Sequence, residues 1–286
     1  MSTTTERSVA AGTGQTFVFE ELGEGPLVVL QHGFPDTPAG WLPTQVALAG
    51  AGYRTIAPWL RGYRPENRVA GRGYGPELLG RDLLELLDAL GEERAVVVGH
   101  DWGALAAYTA AALDTTDRIR GIVAIAIPHP RVTPRNLDSA RMGRHFLTFK
   151  LPTGPWMARR NDFAYIDTLY RRWSPSWDGP VRERAVAGVK ALFRQDSEAL
   201  LGALSWYREF PLVPPRAVTA RVNVPGLVFA GDEDWGGDPG PFRRSCEAFD
   251  APCEVVIVPG AGHWAHLECQ DRFTTELLRF LEATPD

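Results

Sequence analysis

Three segments of this chain carry residue types that, once brought together, make a covalent catalyst. The first is VVVGHDWGA, where Asp101 sits at the centre of Gly99-His100-Asp101-Trp102-Gly103, between an apolar run and an alanine-rich stretch. Flanking glycines fit a tight strand-to-helix elbow, which lifts its central side chain over the carboxyl edge of a sheet and beside the positive end of a helix. A carboxylate there, with an ordinary pKa of about 3.9, is anionic at neutral pH and suits attack on an sp3 carbon. The plainer alternative is that Asp101 merely caps the helix, since Asp is a favoured N-cap.

The second segment is split between VFAGDEDW (228–235) and VPGAGHWAHLE (258–268), which offer an acid and a histidine at successive strand ends. The order Asp101, Asp234, His263 matches a triad whose nucleophile comes first, with Asp232 the rival to Asp234. His263 is the expected base on water and Asp234 the group that fixes its tautomer, while His266 is expected to face outward on the next helix. The third segment, LQHGFPDTPAGW (30–41), follows the first long strand. Its Phe34 N–H, paired with that of Trp102, would form an oxyanion hole, and Phe34–Pro35 is a candidate cis peptide.

These loops need a scaffold, and the chain reads as one. Apolar runs at 26–33, 53–60, 95–100, 121–127, 226–232 and 254–260 are spaced as strands, with helical patterns at 76–91, 102–113 and 266–283. The alternation predicts a doubly wound α/β fold with a mostly parallel sheet. It breaks after Pro128 and resumes near Val224. Residues 1–130 and 216–286 are therefore read as the core domain and 131–215 as a helical cap, with 181–195 one of its helices. The cap carries 14 Lys plus Arg against 8 Asp plus Glu, an excess best explained as a solvated helical surface. Its Trp156, Trp173, Trp177 and Trp206 suggest an apolar pocket or plain packing.

At 286 residues, 44% hydrophobic and 23% charged, the composition is that of a globular protein. A net charge of −5 gives no basic footprint for nucleic acid. No run approaches the about 18 apolar residues of a membrane span, and MSTTTERSVAAGTGQTF lacks the apolar region of a signal peptide. Cys246, Cys253 and Cys269 are too few for a disulfide framework, so a cytoplasmic protein with reduced thiols is expected, as a monomer or homodimer. No cofactor or metal is called for.

With HGFP, RGY (61–63), GHDWG and GHWAHLE on the page, the chain resembles the α/β-hydrolase family over nearly its whole length, and within it the epoxide hydrolases and haloalkane dehalogenases that use aspartate. GALSWYREF (202–210) is similar to the segment in which epoxide hydrolases keep a tyrosine on the epoxide oxygen, and the matching residue is Tyr207. The resemblance implies a second such tyrosine; the comparable stretch HFLTFKLPTG (145–154) has His145 instead, as in bacterial relatives with a His and Tyr pair. It implies hydrolysis of a small apolar or aromatic epoxide to a vicinal diol, with water the only other reactant. Substrate contacts fall to Trp102, Phe34, Trp206, His145 and Tyr207. The alternatives are dehalogenation with the same nucleophile, for which the Trp102 indole is a halide donor, and a ligand-binding protein without catalysis. There is no GxSxG for a serine esterase.

Overall fold

The structure, a computed structural model, describes residues 3–69, 73–133 and 143–284. Among these, eight strands make one sheet: β1 (Thr5–Ala10), β2 (Thr16–Leu22), β3 (Leu27–Gln31), β4 (Arg54–Pro58), β5 (Ala95–His100), β6 (Ile119–Ile125), β7 (Gly226–Gly231) and β8 (Cys253–Val258). Their order is β1-β2-β4-β3-β5-β6-β7-β8. The six strands expected from sequence are all present and mutually parallel. β1 and β2 were not expected; they add an antiparallel ribbon at one edge. β1 is exposed along almost all of TERSVA, so no apolar period marks it, and its pairing with β2 is what keeps it extended.

The central strands are buried on both faces, and their side chains alternate between two cores. Val28, Leu30, Val96 and Val98 pack with Trp41, Leu48 and Phe273 under α1 (Leu42–Gly50) and the C-terminal helix. Val29 and Val97 face the other way, into the core of α2 (Pro76–Leu90) and α3 (Trp102–Leu113). α2 presents Leu79, Leu83, Leu86 and Leu87 as one stripe and ends where Gly91 turns left-handed at φ 68°. α3 is buried nearly all round, which only its small residues permit: a Cβ on Gly80 of α2 would lie 2.5 Å from the Ala110 nitrogen.

Between β6 and β7 the described residues hold helices and no strand: α4 (Arg144–Lys150), α5 (Gly154–Trp173), α6 (Pro180–Gln195) and α7 (Ser197–Glu209), then a single turn of helix at Arg216–Thr219. α5 is interrupted at Arg160–Phe163, with positive φ at Asn161, Asp162 and Phe163. Asp196 caps α7 by accepting from the Glu198 and Ala199 nitrogens. The expected single helix over 266–283 is two, α8 (Ala265–Glu268) and α9 (Gln270–Glu282), with Cys269 non-helical between them. The cysteine expectation is corrected as well. Cys246 and Cys253 are joined in a disulfide because the turn at 245–248 packs beside the start of β8, which brings their Cα atoms to 5.3 Å. Among the described residues no helix is long and apolar enough to cross a membrane.

Candidate active site

β5 delivers Asp101 to the carboxyl edge of the sheet, and two glycines let the chain turn there. A Cβ on Gly99 would strike the Gly103 carbonyl, and one on Gly103 the Gln31 carbonyl. Asp101 itself sits at φ 54° and ψ −116°, a strained conformation for a residue with a side chain and one that costs about 1–3 kcal/mol. The surroundings must hold that strain, and its use is to aim the carboxyl outward. The capping alternative fails: the Asp101 side chain makes no cap hydrogen bond to α3. Its Oδ1 instead accepts from Phe34 N–H at 2.8 Å, while Trp102 begins the helix and contributes one of its free N–H groups. The Phe34–Pro35 peptide is cis.

The loops after β7 and β8 meet over this edge. His263 Nδ1 lies 3.0 Å from Asp234 Oδ2, and its Nε2 lies 3.6 Å from Asp101 Oδ2. The ring thus joins the two carboxylates, with Nδ1–H facing Asp234. Asp232 is elsewhere engaged, accepting from Gly260 N–H at 2.8 Å, so the geometry selects Asp234. Burial works against charge on His263, but the Asp234 carboxylate, then Asp101, outweighs it and holds the imidazole up to about 10. Burial likewise opposes ionisation of Asp101; the hydrogen bond and charge of His263 prevail, and the Asp101 pKa lies below the usual carboxylate value. The resting site is an ion triplet in which the Asp101 carboxylate is already anionic.

Beneath it lies a layer that sequence reading missed. His100 Nε2–H donates to the His263 carbonyl at 3.0 Å, and the His100 ring packs against His266 at 4.6 Å. His266 was expected to face outward; it is 1% exposed with its ring 4.7 Å from Trp41, because α8 is a separate short helix that buries Ala265, His266 and Leu267 together. Asp36, His100 and His266 bring metal-ligand atoms within 4.8 Å of one another, the group among the described residues with that property. Burial pushes Asp36 up to about 7 and His100 down to about 3. The signal for this layer is the histidine pair of GHWAH, of which His263 reaches Asp101 while His266 packs on the His100 ring of GHD.

A cavity of about 360 Å3 opens onto Asp101, at the small end of the usual range for ligand sites. Tyr207 from α7, His145 from α4, Trp102, Asp234 and His263 line it, with Leu105, Phe146, Trp173, Phe210 and Trp235 making the wall apolar. The Tyr207 and His145 rings are 5.4 Å apart, and the Tyr207 ring stands edge-on to Trp102 at 4.9 Å. Among the described residues Tyr207 Oη and Trp102 Nε1 have no hydrogen-bond partner, and His263 Nε2 has only Asp101 Oδ2, at 3.6 Å. Burial, and then the charge of Asp101, holds the Tyr207 phenol well above 10, so it stays protonated. Two expected substrate contacts are not in the wall. Trp206 is 1% exposed and donates Nε1–H to the Arg61 carbonyl behind Trp102. The Phe34 ring is fully buried against Phe149 and Tyr207, so only its N–H reaches the site. Of Trp156, Trp173, Trp177 and Trp206, Trp173 alone lines the cavity; Trp156 is exposed.

Comparison with known proteins places the chain in a family. The alpha/beta hydrolase fold family matches residues 26–269. The chain is 32% identical to Epoxide hydrolase A of Mycobacterium tuberculosis across 98% of each chain. It is 43% identical to an epoxide hydrolase of Caballeronia sordidicola, across 95% of this chain and 92% of that one. The crystal structure of Epoxide Hydrolase A from Mycobacterium thermoresistibile superimposes with a TM-score of 0.79 at 27% identity, covering 99% of both. The chain belongs to the α/β-hydrolase fold family. It is a hydrolase, and within the family it groups with the proteins named epoxide hydrolases.

Proposed function

We propose that this enzyme hydrolyses a small apolar or aromatic epoxide to a vicinal diol through a covalent ester on Asp101, beneath a helical cap formed by residues 131–215. The observation that carries the reading is a buried carboxylate and a partnerless tyrosine hydroxyl on the walls of one apolar cavity, with the His263–Asp234 pair behind the carboxylate. Relatives named epoxide hydrolases support it.

With Oδ1 held by Phe34, Asp101 Oδ2 attacks a ring carbon; the C–O bond breaks and the epoxide oxygen takes a proton from Tyr207, which His145 assists. The product is an alkyl ester. Ester formation removes the negative charge of Asp101, one of the two that hold the imidazolium, so His263 gives up its proton more readily; that proton restores the Tyr207 phenol, whose own has gone to the substrate oxygen, and leaves His263 a base. It then deprotonates water, which attacks Asp101 Cγ while the Phe34 and Trp102 N–H groups hold the oxyanion. Collapse releases the diol and restores the carboxylate. The bare Trp102 Nε1 favours a second reading, dehalogenation of an alkyl halide by the same ester route.

His263→Gln, incubated with styrene oxide, is expected to gain one substrate mass on the intact protein, and Asp101→Ala to gain none. Adduct in Asp101→Ala, or halide released from a bromoalkane with no diol from any epoxide, would sink the proposal.

A further inference from the structure

The loop that carries His263 has three successive backbone N–H groups taken up by one clasp. Gly262 N–H donates to Glu268 Oε2 at 2.9 Å, His263 N–H to the Trp173 carbonyl at 2.9 Å, and Trp264 N–H to Ser174 Oγ at 3.4 Å. The Ser174 hydroxyl donates in turn to Glu268 Oε1 at 2.6 Å, so both carboxylate oxygens are used. Trp173 and Ser174 stand at the end of α5 in the helical insertion, and Glu268 ends α8 in the core. The approach is tight, since a Cβ on Gly262 would enter the Ser174 Cα and the Trp173 carbonyl. Trp173 also faces the cavity and packs 4.9 Å from both the His263 and His145 rings.

We infer that Glu268 is a positioning residue for His263: with Ser174 it fixes the backbone on which the base stands and ties that setting to the helix end that carries Trp173. Glu268 is absent from the cavity wall, so it acts through the loop rather than on substrate. Without its carboxylate the buried Gly262 N–H is orphaned and the Ser174 hydroxyl loses its acceptor. The inference rests on the proposed two-step reaction, in which His263 serves ester hydrolysis but not the attack by Asp101. Loosening the clasp therefore slows the second step selectively, since small misplacements of a base are costly in rate.

The experiment is single-turnover kinetics with styrene oxide on wild type, Glu268→Ala, Glu268→Gln and Ser174→Ala, reading adduct by intact mass and diol by chromatography, with the thermal midpoint measured alongside. Ester hydrolysis is expected to fall by about 10- to 100-fold in Glu268→Ala, while alkylation stays within about twofold and adduct accumulates. Glu268→Gln, which keeps one acceptor oxygen, is expected to lie between. A lowered midpoint with both rate constants changed in the same proportion, or with neither changed, overturns the inference. If Glu268→Ala fails to fold, Glu268→Gln and Ser174→Ala are read by the same ratio. Failure of the two-step reaction itself is distinguishable, because even His263→Gln would then show no adduct.

Discussion

At the scale of single residues, the site divides labour between groups whose charges differ at rest. Asp101 and Asp234 flank an imidazolium, and Tyr207 keeps its proton opposite them with no acceptor for it among the described residues. An unsatisfied buried hydroxyl costs about 1–3 kcal/mol, which a substrate oxygen would recover on binding. Tyr207→Phe is therefore expected to slow alkylation by at least about 10-fold, within the usual contribution of a positioned acid, and to leave ester hydrolysis nearly unchanged. Stopped-flow measurement of the two steps checks it; equal slowing of both, or none, removes the tyrosine from ring opening. Asp101, Asp234 and His263 were legible in sequence because each follows a strand within three residues of a glycine, Gly99, Gly231 and Gly262 respectively. The orientation of His266 was not, since a break at Cys269 in an otherwise helical pattern leaves no mark in residue type.

At the scale of elements, the elbow between β5 and α3 is the stiffest constraint. Gly103→Ala would push a methyl into the Gln31 carbonyl at the end of β3, moving the strand that leads to Phe34. The expected result is a lowered thermal midpoint together with loss of activity of about 10-fold or more, because the Phe34 N–H leaves Asp101 Oδ1. A variant of wild-type stability and rate would show that the turn has slack the structure does not display. The six parallel strands and α2 were readable because buried strands carry continuous apolar runs, and α2 a leucine stripe closed by Gly91. β1 was not, since an exposed edge strand needs no apolar face. Trp206 was misplaced for a related reason: helical spacing puts it beside Tyr207 on α7 but cannot say which of the two faces the cavity.

At the scale of the whole molecule, the ion triplet makes stability depend on pH. His263 is raised to about 10 in the folded state from 6.5 unfolded, so the folded protein holds its proton more tightly. That contribution is complete below about pH 6.5 and is lost as pH rises through about 10. Urea midpoints for wild type are accordingly expected to fall more steeply between pH 7 and 10.5 than those of His263→Gln, which shares every other titrating group. Parallel curves for the two proteins would show that the imidazolium adds nothing to the fold.

The helical insertion separates β6, which ends at Ile125, from its sheet partner β7, which starts at Gly226. A growing chain therefore exposes the edge of β6 from the time it is made until the whole insertion has been synthesised. Asp101 and its elbow are present throughout that interval, yet His263 comes off the ribosome later still. On the proposed mechanism, the nascent protein would thus hold a nucleophile with no means of clearing its own ester, and a reactive epoxide met at that stage would leave a permanent scar.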